Sequence, residues 1–562
     1  MGEHICGDSG GDGLLELLRV GPVEFDINDV AMIGGVADVP GYMLPPEAWT
    51  LALNMRYSED GMQSLDGWAP VFDSPPPSIA PHFAMPVSTS TTVFWPYVSL
   101  TKAAVWDGIS HTDITRVSGD YTATDTLQWN GTMLGEVPVF NNGVDQPQIW
   151  YPTSVVTKMV DLPNFSGFTP VVPGVGTITR TAKVIRAFGS FLVAGDIVED
   201  SISHPHRIIW SHPADPGDVP PSWDVTDPER DTGQFDLPDV VAGIVMELLP
   251  LGNTMFVYKE SSIWKMRFVG GQNVFDFGQS SWITTAGLLG QRCVCVTGDG
   301  TKHVLATQDD IIWHNGNSVA SILNKRQRRR LQNEIDTNNY FQSFIFSNPF
   351  NNEVWFCYPS QGQTYPNKAL IMNYRAVGGN DWTVTEADGI TFRNAAVGTL
   401  EAFIPTTWDA TTETWDAVLG PWGQLERRRV ILLNPAETKF LKMGGVQQRD
   451  GVTFATVLQR EGLSLIGKKR SGEPIVDHRR MKTLMRMWPK ITGGNVAIRF
   501  GAQQTVDGSI AWGSAVSYNP STDVYADPGP VTGRAVGIEI SSIDVNWKLD
   551  GYKIDMVPRG DY

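Results

Sequence analysis

Cysteine is scarce in this sequence. The 562 residues include four cysteines, Cys6, Cys293, Cys295 and Cys357, whereas small secreted domains are held together by many paired cysteines. Cys293 and Cys295 would lie on the same face of one strand, which does not favour a disulfide between them. Scattered thiols also make a poor zinc site. We therefore expect a protein made in a reducing cytoplasm, without a disulfide framework.

Long apolar runs are also missing. No uncharged apolar stretch approaches the roughly 18 residues that a membrane-spanning helix needs. Residues 1–19 hold one short apolar patch, Leu14–Leu18, which is interrupted by Glu16 and has no basic leader before it. These features predict neither a membrane-spanning segment nor a secretion signal.

Positive charge is in deficit. The chain has 43 Lys and Arg against 61 Asp and Glu, a formal net charge of −18. Residues 1–250 contain 32 acidic and 10 basic residues and so carry −22, which leaves +4 for residues 251–562. A protein that reads the grooves of a nucleic acid carries a basic surface, so this balance argues against such a reader. Simple solubility is the alternative explanation for the acidity.

Turn residues, by contrast, are abundant. The sequence has 56 Gly and 37 Pro, and only 19% of its residues are charged, a composition typical of all-β proteins. Short alternating runs on either side of turn residues predict β-hairpins, at Thr254–Tyr258 with Ile263–Val269, at Val294–Val296 with His303–Thr307 and then Asp309–His314, and at Lys183–Ile185 with Phe191–Ala194. Asx-Gly pairs can supply the positive φ angles of tight turns, at residues 107–108, 130–131, 142–143, 388–389, 450–451, 507–508 and 550–551.

The hairpins between residues 95 and 400 fall into blocks of about 40–50 residues, which suits four-stranded propeller blades. We predict an all-β chain with a β-propeller at residues 95–424 and a C-terminal β-rich, sandwich-like domain at residues 425–562. That domain should have strands near residues 497–500, 535–540 and 551–556. Residues 1–94 should be partly extended and contribute to a platform. Because the blocks are not recognisably identical, a pair of β-sandwiches is the alternative.

Two local features stand out. Trp408, Trp415 and Trp422 are spaced by seven residues, but the surrounding Thr, Gly and Pro disfavour a helix, so we expect an extended or looped ladder of packed indoles. The best helix candidate runs from about residue 324 to 335 and includes the basic stretch Lys325–Arg330. A solvated face is its simplest interpretation, and docking of an acidic partner or of the DNA backbone is the other. A second basic stretch covers residues 468–470 and 479–482.

No motif specifies catalysis. Thr505–Trp512 is close to one Asp box of the sialidase type, but its Gly comes one place early and the motif occurs once, where those enzymes repeat it. His204, His206 and His212 could ligate a metal, although the prolines beside them favour a structural turn. With 61 acidic residues, no carboxylate pair stands out for glycoside hydrolysis. We therefore predict no catalytic, cofactor-binding or metal-binding residue, no cofactor and no enzymatic activity.

Seven segments with a distinctive composition follow one another between residues 40 and 360. They are Pro45–Trp49, Asn54–Tyr57, Gly67–Pro70, Asn141–Gly143, Trp210–Gly217 with its continuation to Pro228, the Tyr258–Gly271 hairpin, and Asn348–Phe356. These segments resemble the tail nozzle proteins of short-tailed bacteriophages, which are also described as tail hub or packaged-DNA stabilisation proteins. Their order and number make the resemblance fairly specific, while the chain beyond about residue 425 carries little of it.

The resemblance implies a structural homohexamer of the virion tail, synthesised in the cytoplasm of a host bacterium. In that family the ring lies below the portal and adaptor, continues the DNA channel, contacts tail fibres or spikes, retains the packaged genome and guides its ejection. An acidic lumen would let double-stranded DNA pass without specific binding, because each neutralised phosphate adds affinity. The basic stretches are then expected at subunit or adaptor contacts. A propeller protein that binds or degrades glycan is the alternative.

Overall fold

The computed structural model of the protein describes most of the chain. The described ranges are 23–28, 40–44, 48–58, 61–89, 92–126, 128–152, 157–239, 243–271, 273–279, 287–375, 382–400, 428–468, 474–505 and 508–560. Strands dominate these ranges, in which the helical segments are α1 (Lys325–Glu334) and two 3-10 turns, Gly41–Met43 and Tyr340–Gln342. The chain forms two compact units, one of residues 1–66, 373–388 and 452–562 and the other of residues 67–372 and 389–451.

The unit of residues 67–372 and 389–451 contains seven groups of antiparallel strands, counted over its described residues, which we call blades 1 to 7. Blade 1 has β6 (Phe83–Ala84), β7 (Val87–Ser88), β8 (Val93–Val98), β9 (Ala103–Trp106) and β10 (His111–Asp113); blade 2 has β11 (Asn130–Leu134), β12 (Val137–Asn141), β13 (Gln148–Ile149) and β14 (Val160–Asp161). Blade 3 has β15 (Arg180–Phe188), β16 (Phe191–Glu199), β17 (Ile202–Trp210) and β18 (Gly233–Asp236); blade 4 has β19 (Val245–Leu251), β20 (Thr254–Lys259), β21 (Ile263–Phe268) and β22 (Phe275–Gln279). Short turns join most of these strands, so sequence neighbours pair antiparallel.

The remaining blades follow the same scheme. Blade 5 has β23 (Val294–Val296), β24 (His303–Ala306), β25 (Ile311–His314) and β26 (Val319–Ser321), and blade 6 has β27 (Phe344–Asn348), β28 (Glu353–Tyr358) and β29 (Lys368–Asn373). Blade 7 has β31 (Asn394–Gly398), β32 (Arg429–Asn434), β33 (Lys439–Met443) and, at its outer edge, β5 (Trp68–Val71).

The inner strands of the blades form a closed circle. β11 packs against β15, β15 against β19, and the series continues through β23 and β27 to β31, which meets β6 of blade 1. β6 in turn lies beside β11, because the ring of Phe83 occupies the space next to Gly131. A closed circle of small antiparallel sheets is a β-propeller. The prediction of an all-β chain with a propeller is confirmed, and the propeller has seven blades over its described residues.

Blade 7 combines strands from both ends of the propeller sequence. β5 pairs antiparallel with β33, with Trp68 opposite Met443 and Pro70 opposite Leu441. The indole of Trp68 is fully buried and packs edge-on against Phe392 at a centroid distance of 5.5 Å. Backbone hydrogen bonds between the first strand and the last blade therefore hold the circle closed.

The propeller core lies between neighbouring blades. Each blade has a neighbouring blade on either side, so both of its faces are covered. Apolar side chains from facing sheets therefore pack in separate clusters between the blades. Aromatic rings contribute much of this buried area. They include Trp95, Tyr97 and Phe440 between blades 1 and 7, Phe140 and Trp150 between blades 1 and 2, Phe165 and Trp223 between blades 2 and 3, and Trp210 and Phe275 between blades 3 and 4.

The unit of residues 1–66, 373–388 and 452–562 is a β-sandwich. One sheet has the order β3 (Met55–Ser58), β4 (Gly61–Ser64), β43 (Trp547–Pro558), β37 (Lys482–Gly493) and β41 (Val531–Gly533), and β1 (Val23–Asn28) also pairs with β43. The second has the order β30 (Thr383–Asp388), β2 (Leu51–Leu53), β34 (Ala455–Leu463), β42 (Ala535–Ile543), β38 (Val496–Gln503) and β39 (Ala511–Trp512), and β40 (Val516–Tyr518) also pairs with β38. A separate hairpin joins β35 (Leu465–Lys468) to β36 (Pro474–Val476). Side chains from both sheets share one apolar core.

Most of the predicted hairpins and the predicted helix are present at the expected places. Two Asx-Gly pairs are exceptions, because they lie inside strands. Asn130-Gly131 is in β11, where a side chain on Gly131 would collide with the carbonyl oxygen of Val139. Asp550-Gly551 is in β43, at a register shift opposite Lys490 that marks a β-bulge. Gly131 therefore allows a close approach of the neighbouring strand, and Gly551 lies at a bulge; neither glycine is in a turn.

The boundaries of the two units differ from the expected limits at residues 94/95 and 424/425. Residues 67–94 and 425–451 belong to the propeller unit, whereas residues 373–388 belong to the sandwich unit. The difference has a physical reason, since β5 completes blade 7 and β32 and β33 form its middle. The tryptophan repeat at residues 408, 415 and 422 lies outside the described residues.

Candidate functional site

The inner strands of the propeller all start at one end of its axis, because each blade begins with its inner strand and later strands alternate in direction. We call this the starting end. Five polar residues lie one or two positions before an inner strand, in blades 1, 2, 5, 6 and 7 respectively: His82, Gln128, Arg292, Gln342 and Arg393. The topology therefore gathers them around the axis, although they are far apart in the sequence.

Hydrogen bonds across the axis join blades that are not neighbours. Gln128 of blade 2 donates from Nε2 to Oε1 of Gln342 in blade 6 at 2.9 Å. Arg292 of blade 5 donates from Nη1 to the carbonyl oxygen of Arg393 in blade 7, also at 2.9 Å. Polar side chains therefore fill the axis at its starting end.

A second set of amides reaches the axis from blades 2 and 5. The carbonyl oxygen of Lys183 in blade 3 accepts hydrogen bonds from Asn130 at 2.8 Å, Asn141 at 3.1 Å and Gln291 at 3.2 Å. Gln291 of blade 5 thus reaches past blade 4 to the inner strand of blade 3. The amide nitrogens of these three side chains are therefore engaged within the protein.

The starting end also contains a small polar cavity of about 20 Å³. Arg393 lies over the ring of Tyr365 at 3.3 Å, and Asp125 accepts the Tyr365 hydroxyl at 3.1 Å. Burial lowers the pKa of His82 below its ordinary value and that of Arg292 to about 10. The cavity is lined by His82, Leu100, Thr124, Asp125, Gln128, Trp129, Arg292, Gln342 and Arg393.

The opposite end of the axis has a larger, open cup of about 620 Å³. Turns that follow the inner strands of blades 5 and 6 form its wall, together with parts of blade 7. Phe350 is 44% exposed there, and Arg429 lies over its ring at 4.5 Å. The other lining residues are Val296, Thr297, Gly298, Gly300, Ser347, Pro349, Val397 and Arg428. This surface is concave and partly apolar, and few ionisable side chains line it.

The three histidines considered as metal ligands do not converge. The expected turn at His204 and His206 is wrong, because both lie in the nine-residue strand β17. Pro205 fits there because the register between β16 and β17 shifts at this point, so its missing N–H does not interrupt a regular ladder. His212 follows the strand and accepts a hydrogen bond from the backbone N–H of Asp231 at 3.0 Å. The described part of the chain contains no group of three or more His, Cys, Asp or Glu residues placed to hold a metal ion.

The Asp-box-like stretch and the two basic stretches lie in different parts of the fold. Of the Asp-box-like stretch, Trp512 lies in β39 of the sandwich unit, and residue 507 is outside the described residues. The basic stretch on α1 places Arg328 within 3.3 Å of Asp310. Lys482 of the second stretch is fully buried and donates to the carbonyl oxygen of Arg480 at 2.8 Å. Residues 469–470 lie outside the described ranges.

The cysteines that the structure describes are free thiols. They are Cys293, Cys295 and Cys357, and Cys293 and Cys357 are buried. Burial raises the pKa of the Cys293 thiol to about 12. A thiol with so high a pKa is protonated near neutral pH and behaves as a small apolar side chain.

A buried chain of hydrogen bonds between blades 4 and 5 was not predicted from the sequence. Gly316 N–H donates to His314 Nδ1 at 3.2 Å, so His314 carries its proton on Nε2 and donates to the Tyr258 hydroxyl at 2.7 Å. That hydroxyl donates to His303 Nδ1 at 2.6 Å, and His303 Nε2–H donates to the carbonyl oxygen of Pro250 at 3.2 Å. Both imidazoles are fully buried and neutral, so this chain of bonds stabilises the blade contact.

No protein-family model and no curated protein matches the chain. Among solved structures, a chain of the mitotic checkpoint complex is 12% identical, with a TM-score of 0.34 over 66% of this chain and 96% of that one. The extracellular domain of a hybrid two-component system from B. thetaiotaomicron is 12% identical, with a TM-score of 0.31 over 62% and 41%. PorZ, a surface component of the type-IX secretion system of Porphyromonas gingivalis, is 10% identical, with a TM-score of 0.31 over 70% and 42%.

These similarities are limited. The chain spans less than half the length of the two bacterial chains, and TM-scores this low carry no argument about function. None of the three structures is described as a phage tail protein. In the ranges that the structure describes, no helix has the length and apolar character needed to cross a bilayer.

Proposed function

We propose that the chain is a structural subunit of a phage tail nozzle, a homohexameric ring that continues the DNA channel below portal and adaptor. In this role it retains the packaged DNA, guides its ejection and performs no catalysis. The observation that carries the proposal is the set of sequence segments that resemble the tail nozzle proteins. Three of them fall on defined features of the propeller: Trp210–Gly217 opens the β17–β18 loop, Tyr258–Gly271 covers the β20–β21 hairpin, and Asn348–Phe356 covers the β27–β28 turn.

The closed propeller axis supports a pore formed by several copies. Hydrogen bonds between blades 2 and 6 and between blades 5 and 7 cross the axis at its starting end. A DNA duplex therefore needs a path outside the propeller. A ring with repeated head-to-tail contacts supplies such a path at its centre.

The long β17–β18 loop, residues 211–232, supplies acidic surface suited to this role. One end is fixed by the Ala214 N–H, which donates to the Ser190 carbonyl oxygen at 2.8 Å. The other end is fixed by Asp224, which accepts from the Val171 N–H at 2.7 Å. The loop holds six acidic residues and one basic residue, Arg230. Acidic surface facing DNA keeps the duplex mobile, because it repels phosphates.

Assembly of the purified full chain tests the proposal. Native mass spectrometry and electron microscopy are expected to give a sixfold ring with a pore of duplex width. Helix α1 is expected at a subunit or adaptor contact, so Arg329→Glu should weaken the ring or its binding to the adaptor. Arg267→Glu makes the same charge change on another exposed arginine, in β21, and serves as the control. A monomer or trimer that cleaves glycan would overturn the proposal.

A glycan-binding or glycan-degrading tail protein is the second candidate. The open cup of about 620 Å³ with the half-exposed ring of Phe350 favours it, because sugars bind in concave sites and stack on aromatic rings. Binding of surface polysaccharide that is lost in Phe350→Ala, measured on a chain that forms no ring, would favour this function over the nozzle.

A further inference from the structure

Two arginines at the starting end of the propeller axis have no carboxylate partner. Within the described ranges, neither the Arg292 nor the Arg393 guanidinium group has a carboxylate oxygen within 4.0 Å. Arg292 donates to the carbonyl oxygens of Arg393 and Gln342, at 2.9 and 3.4 Å. The Arg393 guanidinium lies on the Tyr365 ring and donates no hydrogen bond to any described residue. Both groups line the cavity of about 20 Å³.

The surroundings leave this cavity with an excess of positive charge. Asp125 is the carboxylate in its lining, and it accepts the Tyr365 hydroxyl at 3.1 Å. His82 is 3.9 Å from Asp125, and burial lowers its pKa, which favours the neutral ring. Two guanidinium groups thus face one carboxylate. Positive charge that is partly withdrawn from water, as at the half-buried Arg292 and Arg393, attracts an anion.

The volume of the cavity limits the size of that anion. A space of about 20 Å³ holds roughly one water-sized occupant, which a monatomic anion matches more closely than phosphate or a carboxylate does. We propose that the cavity binds one monatomic halide ion, chloride under physiological conditions, between the guanidinium groups of Arg292 and Arg393. The N–H groups of Arg393 that have no acceptor in the protein are the donors.

Water is the competing occupant. The Oε1 atom of Gln128 is buried without a hydrogen-bond partner in the described structure, and a water molecule could donate to it whereas a halide could not. The charge excess favours the halide. A bound halide neutralises part of that charge and links blades 5 and 7 on the axis, so it stabilises the closed propeller by mass action.

Thermal unfolding of the full chain tests this site. At constant ionic strength, replacing gluconate with chloride is expected to raise the unfolding midpoint, with a saturating dependence on chloride concentration. Arg393→Gln should abolish the response, whereas Arg267→Gln, at an exposed arginine of β21, should retain it. Asp125→Asn removes the nearby negative charge and should lower the chloride concentration for half of the effect several-fold.

Crystals of the unmodified chain soaked in bromide give a second, independent measurement. An anomalous peak between Arg292 and Arg393 supports the proposal. A water molecule there without anomalous signal, equal midpoints in chloride and gluconate, or an undiminished chloride response in Arg393→Gln would each overturn it. A response to phosphate or acetate with none to bromide would also contradict it, because the site would then bind oxyanions. None of these outcomes depends on whether the chain forms a ring.

Discussion

At the scale of single residues, the Tyr258–His303–His314 chain makes stability depend on pH. Burial lowers the pKa of His303 to about 4 and that of His314 to about 3. The unfolded chain binds protons at both rings below about pH 6.5, and the folded chain does not until pH 3–4. The free energy of unfolding should therefore fall as pH drops through this window, by up to about 2.7 kcal/mol per pH unit.

Urea denaturation at a series of pH values measures this slope. His314→Gln removes one of the two titrating imidazoles, so the slope between pH 6 and 4 should become shallower by up to about 1.4 kcal/mol per pH unit. A slope that does not change in His314→Gln would contradict the assignment of the pH dependence to this chain of bonds.

A second buried group ties the β20–β21 turn to the chain before β19. Asp239 pairs with the fully buried Lys259 and accepts hydrogen bonds from Ser262 and Trp264, both at 2.7 Å. Lys259→Met leaves the carboxylate buried without its cation and should cost about 3–5 kcal/mol in urea denaturation. The double variant Lys259→Met with Asp239→Leu should recover part of that loss. A double variant with the full sum of the single losses would argue against the coupling.

At the scale of elements, the strand β5 that closes the propeller is expected to contribute strongly to the unfolding free energy. Trp68 anchors this strand between Phe392 and Arg449, whose guanidinium lies 4.7 Å from the indole ring. Trp68→Ala should cost about 3–5 kcal/mol of unfolding free energy, because it leaves a large cavity. Val71→Ala on the same strand, at a half-buried position, should cost about 1 kcal/mol. Similar losses in the two variants would show that β5 does not hold the blade through Trp68.

Helix α1 illustrates how local an element can be. Asn324 Oδ1 accepts from the Gln327 N–H at 2.9 Å, and Gln327 Oε1 accepts from the Asn324 N–H at 3.0 Å. This reciprocal pair is a capping box, which acts between residues three apart in the chain. The pairing of Arg328 with Asp310 depends on the fold, because Asp310 belongs to the turn before β25.

At the scale of the whole molecule, the order of segments in the two units predicts the result of truncation. Trp49, Met55 and Met62 of the sandwich share their core with Leu549 and Ile554. Without residues 452–562 these side chains lose most of that core, since its other members come mainly from the removed strands.

A chain that ends at residue 451 should therefore keep a folded propeller and expose strands β2, β3 and β4 to proteases. Limited proteolysis followed by mass spectrometry of the protected fragment measures this, and the full chain, in which these three strands are packed in the sandwich core, is the control. If the propeller fragment of the truncated chain is digested as fast as its sandwich strands, the propeller does not fold by itself.

The sequence by itself determined the all-β class, the predicted hairpins and the helix, because alternation and turn residues act between residues close together in the chain. The tertiary structure decided which segments form each unit, how blade 7 closes, and what the axis contains. Gln128 and Gln342 meet across 214 positions of sequence, and β5 pairs with β33 from the other end of the propeller. Contacts of that range depend on packing of the whole circle of blades, so no local pattern encodes them.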